Sequence, residues 1–188
     1  MIPLIAFTPR LTLVAASRAL LTAELDKPRY FPILLGAALP ADWPPGQYDE
    51  AAMRYFLQQL TAGGRHAAGW YGWYAILRAG AEAPVNTLAA TGGFFGPPDA
   101  NGAAEIGYSV AADWRGRGLA TELVGGLVRH AAETGLVRRL YAHTTPDNAA
   151  SCRVLTHNEF TPAATPDAQG RLRFEREIVP APPLPAAS

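Results

Sequence analysis

One stretch constrains this chain more than any other: Asp113-Trp114-Arg115-Gly116-Arg117-Gly118-Leu119-Ala120-Thr121-Glu122, a glycine-rich turn caught between a strand pattern and a helix pattern. Glu105 to Val110 has the β-branched and aromatic content of a strand, and Leu119 to Thr134 carries apolar residues at helical spacing. Gly116 and Gly118 therefore stand just ahead of a helix N-terminus. The first N–H groups of a helix have no intrahelical partners and the helix dipole is positive there, so an anion is held with little help from side chains. Arg115 and Arg117 add charge to the same loop.

A strand, a glycine-rich turn and a helix also describe ATP and dinucleotide sites, and residue identities separate the three. A P-loop needs Lys-Ser or Lys-Thr after its last glycine, but Gly118 is followed by Leu119 and Ala120. A dinucleotide fingerprint needs G-x-G-x-x-G or A. Here Gly116 and Gly118 are followed by Thr121, and Arg138 and Arg139 stand where an acidic ribose ligand is expected, which leaves only an NADP-type variant as the alternative.

Arg115, Gly118 and Ala120 spell Arg-x-x-Gly-x-Ala, which resembles the acyl-CoA pyrophosphate loop of the GNAT N-acetyltransferase superfamily. A second motif follows in the right order. Arg139 to Thr144 reads as a strand, and after it Asn148, Ser151 and the closing Phe160 are similar to the helix start and end of that superfamily's ribosomal-protein-alanine acetyltransferase-like branch. The resemblance is good from about Glu105 to Phe160; Thr8 to Leu13 is similar to the branch's opening strand, and residues 14 to 90 match loosely. It implies an α/β (α+β) fold: one domain over residues 1 to 179, with a central mixed, largely antiparallel sheet flanked by helices and acyl-CoA bound at a splay between two central strands.

The same resemblance implies an N-acetyltransferase in which an amine attacks the thioester of acetyl-CoA directly, with no covalent nucleophile. The alternative is a non-catalytic acyl-CoA-binding or sensor protein with the same fold. Backbone groups of Tyr108, Ser109 and Val110 would pair with the pantetheine and acetyl group. N–H groups of Arg115, Gly116, Arg117, Gly118, Leu119 and Ala120 would cradle the pyrophosphate, Thr121 adding a hydroxyl and Asn148 a hydrogen bond to the pantetheine arm. Two departures matter. Many relatives carry a tyrosine acid seven residues after the asparagine, where this chain has Leu155, so Ser151 is the remaining candidate donor to the departing sulfur. The usual glycine before the closing Phe is Glu159, and Asn158, which tolerates positive φ next best, is expected to take that role.

Each candidate also has an ordinary structural role to weigh. Glu105 opens the strand beside the expected acetyl group, where partial desolvation suits a carboxylate to deprotonate an amine; a solvated strand-edge Glu is the plain alternative. His143 is a second base candidate or a structural hydrogen-bond partner. Ser151 is a leaving-group donor or a back-bonded helix serine, and Asn148 is an N-cap in either case. Cys152 reads as a small buried apolar residue. The aromatics between Tyr30 and Tyr74, with Asp42, Asp49 and Glu50 among them, mark the acceptor side, and Trp43 in its proline-rich loop is the named binding candidate.

Charge and cysteine usage narrow the partners. With 16 basic against 16 acidic residues, the chain lacks the excess positive charge of a nucleic-acid binder. Its single cysteine permits no intramolecular disulfide, no apolar run reaches the roughly 20 residues of a membrane span, and no basic leader opens the chain. No histidine spacing marks a metal site. The expectation is a cytoplasmic monomer or homodimer whose partners are acetyl-CoA and an amine acceptor, either a peptide N-terminus or a small molecule. Residues 180 to 188, rich in proline, are expected to form an extended mobile tail.

Overall fold

The computed structural model describes residues 4–179; the proline-rich segment 180–188 lies outside them. Eight strands form one sheet in the order β1-β2-β3-β4-β5-β6-β8-β7. They are β1 (Ile5–Phe7), β2 (Leu11–Ala15), β3 (Gly72–Leu77), β4 (Thr87–Phe94), β5 (Ala103–Val110), β6 (Arg139–Thr144), β7 (Thr161–Pro162) and β8 (Leu172–Glu177). Every pair is antiparallel except β5 with β6, which is parallel and is joined through a helix, as parallel neighbours require.

The helices are α1 (Arg18–Asp26), α2 (Phe31–Leu35), α3 (Glu50–Gly63), α4 (Leu119–Thr134) and α5 (Ala149–His157). Short polar side chains set three of their starts: Ser17, Asp49 and Asn148 each accept from a backbone N–H three residues on. β3 is buried along its whole length, because helices cover both of its faces. Strand alternation sends Trp73 to one face, where its ring meets His130 of α4 edge-on at 4.8 Å, and Tyr74 to the other, where its hydroxyl donates to Glu24 of α1.

Two local expectations are corrected. The single opening strand is a hairpin of β1 and β2, since Pro9 has no N–H for a ladder and Thr8 turns the chain by bonding Leu11 through both its backbone and its hydroxyl. At the end of α5 it is Glu159, not Asn158, that takes positive φ, at 60°. Asn158 is buried at φ −95°, with its side-chain amide spent on the carbonyls of Thr121 and Val154. Arg176 then holds the turn by donating to the Asn158 carbonyl and pairing with Glu159 at 2.7 Å.

Candidate active site

β5 and β6 pair only as far as Glu105 and Tyr141. Beyond that point β5 stays with β4, up to Val110 opposite Ala90, while β6 stays with β8, up to Thr144 opposite Leu172. The two strands therefore splay. Alternation decides which backbone groups face the gap. The Glu105 carbonyl accepts from Phe95 of the β4 side, and the Ala111 N–H donates to Ala89 of the same side. Residues 105, 107, 109 and 111 thus turn their peptide groups toward β4, and Ile106, Tyr108 and Val110 turn theirs into the splay. The Val110 carbonyl is taken by Arg115 Nε at 3.0 Å. Tyr108 is left with a free strand edge. Ser109, expected to pair in the same way, instead spends its backbone on β4, and its hydroxyl backs onto Gly46, where a Cβ would come within 2.8 Å of it.

A cavity of about 440 Å³ opens at this splay, and Glu105, Tyr108, Ser109, His143, Asn148 and Ser151 all line it. The two candidate bases touch one another: His143 Nδ1 lies 2.7 Å from Glu105 Oε1. A carboxylate accepts, so Nδ1 is the donor of this contact, and whenever the ring is neutral that leaves the lone pair on Nε2. On the opposite wall the Tyr108 and Ser151 hydroxyls lie 2.8 Å apart. Burial pushes the Tyr108 phenol up to about 12, against the pull of its bond to Ser151. The Asn148 side chain caps α5 by accepting from the Ser151 N–H, which fixes where that serine stands. Leu155 is fully buried in the core and Cys152 is half-buried against it.

The glycine-rich turn follows the C-terminal end of β5, the end at which β5 and β6 have parted. Gly116 and Gly118 both have positive φ, at 72° and 76°, and α4 begins on Gly118 with no side chain capping its first N–H groups. Nothing stands within 4 Å of a Cβ built on Gly116. The arginine side chains of this loop are partly engaged: Arg115 on Val110, and Arg117 stacked on Trp114 at 4.7 Å with a bond to the Asp113 carbonyl. Sequence reading missed the support of this turn. Glu122, in the first turn of α4, accepts from the Thr8 hydroxyl, from the backbone N–H groups of Arg10 and Leu11, and from Arg10 Nε. Burial raises the Glu122 carboxyl, but the bonds from Thr8 and Arg10 outweigh it and hold the group below its usual range. Arg10 in turn reaches the Arg117 carbonyl at 3.0 Å.

The early aromatics divide between cavity and scaffold. Tyr48 and Phe56 line the cavity; Trp43, the named binding candidate, does not. Its Nε1 donates to Glu24 at 2.7 Å, where the hydroxyls of Tyr48 and Tyr74 also converge. Burial raises the Glu24 carboxyl, and these three donors oppose the rise. Asp42 accepts from the Ala112 N–H, Asp49 caps α3 and Glu50 pairs with Arg54, and none of the three carboxylates lines the cavity. Trp43→Ala is accordingly expected to cost about 2–3 kcal/mol through lost packing and a donor removed from Glu24. That is a fall of about 5–10 °C in Tm by thermal melting. An unchanged Tm would return Trp43 to the acceptor surface.

A GNAT acetyltransferase domain matches residues 18–161, which span the early helices, the glycine-rich turn and the cavity walls. The chain belongs to the GNAT acetyltransferase family. It is 28% identical over 121 residues to the uncharacterized N-acetyltransferase YjdG of Bacillus subtilis (strain 168), a match covering 64% of this chain and 68% of that one. Its fold is similar to that of RimL, a ribosomal L7/L12 α-N-protein acetyltransferase solved with coenzyme A, at a TM-score of 0.65 and 24% identity over 93% of this chain and 98% of that one. Mycobacterium smegmatis RimJ, solved in complex with CoA-disulfide, has a TM-score of 0.61 at 17% identity over 93% and 86% of the two chains. No helix among the described residues is long and apolar enough to cross a membrane, and no three His, Cys, Asp or Glu side chains among them gather as metal ligands.

Proposed function

We propose that this protein transfers the acetyl group of acetyl-CoA to a primary amine, a protein N-terminal α-amine or a small molecule, by direct attack of the amine on the thioester. The observation that carries the reading is the splay itself. It brings the free edge of Tyr108, the Glu105–His143 pair and the Ser151 hydroxyl to one cavity. An extended pantetheine arm adds to β5 as a short strand would, through the peptide groups of Tyr108. Its pyrophosphate then meets the N–H groups of Arg115 to Ala120 at the uncapped start of α4, with Thr121 and Asn148 beside the path.

In this reading the amine nitrogen forms its bond to the carbonyl carbon, and the carbon–sulfur bond breaks with its electron pair on sulfur. The attacking amine is neutral; His143 Nε2 takes the proton that its nitrogen sheds on bonding to carbon, while Glu105 holds the ring and stabilises the imidazolium. Ser151 donates a hydrogen bond to the departing sulfur. A screen of amines and N-terminal peptides with acetyl-CoA, reading free thiol, tests the assignment. Turnover of an amine is the expected result; tight acetyl-CoA binding with no turnover across both classes would make this a binding protein instead.

A further inference from the structure

The reaction needs a donor fixed on the sulfur side of the thioester, and Leu155, buried in the core, offers none. A phenol reaches the first turn of α5 from a different element. Tyr108 stands on β5, the strand whose free edge faces the splay, and its hydroxyl lies 2.8 Å from Ser151 Oγ and 3.2 Å from the Ser151 carbonyl. We infer that Tyr108 is a positioning residue for acetyl transfer: its phenol donates to Ser151 Oγ and thereby turns the single serine proton toward the departing sulfur. The inference rests on the role proposed above for Ser151.

Two hydroxyls in contact can be ordered in two ways, and the distances permit both. If the serine donates to the phenol at 2.8 Å, the phenol donates to the Ser151 carbonyl at 3.2 Å. If the phenol donates to Oγ, the bond to the carbonyl is given up and the serine proton is freed for the cavity. Negative charge growing on sulfur favours the second order, because both O–H dipoles then point along one line at the charge and polarise one another.

Chemistry also limits what the phenol does. A thiol ionises near 8.5 in water, and burial holds Tyr108 at about 12. Passing the phenol proton through Ser151 to a thiolate is therefore unfavourable by roughly a thousandfold or more. The carbon–sulfur electron pair leaves with sulfur as a hydrogen-bonded thiolate. That thiolate takes its proton from solvent or from the His143 imidazolium, and Tyr108 stays neutral throughout.

The test is a double-mutant cycle of Tyr108→Phe and Ser151→Ala, with kcat measured on a competent amine and acetyl-CoA affinity measured by calorimetry. Each single variant should lose about 10- to 100-fold in kcat, the worth of one hydrogen bond to a developing charge, with acetyl-CoA affinity within about twofold of the parent. The double variant should be no slower than Ser151→Ala alone, because the phenol acts only through that serine. Wild-type kcat in Tyr108→Phe would overturn the inference, as would losses that multiply in the double variant or an affinity that falls in step with kcat. If the parent protein binds acetyl-CoA but turns over no amine, the transferase reading and this inference fall together; failure of the cycle in an active parent removes this inference alone.

Discussion

Gly118→Val abolishes useful acetyl-CoA binding: the dissociation constant rises at least about 100-fold, close to 3 kcal/mol. Two costs combine. Gly118 begins α4 at φ 76°, a conformation that a β-branched residue adopts only with strain of about 1–3 kcal/mol. If the chain keeps the turn, the valine side chain stands where a phosphate must approach the first N–H groups of the helix. If the chain relaxes the strain, those N–H groups rotate away from the phosphate. A Cβ at this position meets only the Arg10 guanidinium, at 3.5 Å, so the loss does not come from a clash inside the protein. Circular dichroism should show a folded variant, and titration calorimetry gives the affinity. Unchanged affinity would mean that the pyrophosphate lies away from residues 115 to 120.

The parts of this site that were legible in the sequence are those built from neighbouring residues. α4 runs from Leu119 to Thr134 because Gly118 and Gly135, both at positive φ, punctuate it. Asn148, Asp49 and Ser17 announce their helices because a short acceptor side chain serves an N–H only three residues away. What stayed hidden was pairing across the fold. Glu105 and His143 each stood out as a base, yet nothing in 38 residues of separation says that they share a hydrogen bond. Tyr108 stood out for its backbone, and its hydroxyl's contact with Ser151 spans 43 positions. The gathering of Trp43, Tyr48 and Tyr74 on Glu24 turned a supposed acceptor residue into scaffold for the same reason. Glu159 shows the converse: local propensity favours Asn158 for positive φ, but Thr121, Val154 and Arg176 fix Asn158 in another role.

The contact between Glu105 and His143 also predicts how their variants rank. His143→Ala removes the nitrogen that receives the proton, and general base catalysis is worth about 10²- to 10⁴-fold in kcat. Glu105→Gln leaves that nitrogen in place but swaps a full negative charge for a neutral amide beside a ring that becomes cationic. The amide's NH2 also competes to donate to Nδ1, which favours the tautomer with its lone pair turned away from the cavity. A loss of about 10- to 100-fold is expected, smaller than that of His143→Ala, from a hydrogen bond to a developing charge. Because the carboxylate acts through the ring, the double variant should be no slower than His143→Ala. kcat for the three variants on one competent amine, with acetyl-CoA affinity unchanged, checks the order. If His143→Ala stays near wild type while Glu105→Gln loses two orders of magnitude, the carboxylate takes the proton itself and the imidazole only supports it. If neither loses more than about threefold, the attacking amine gives its proton to solvent and the pair is structural.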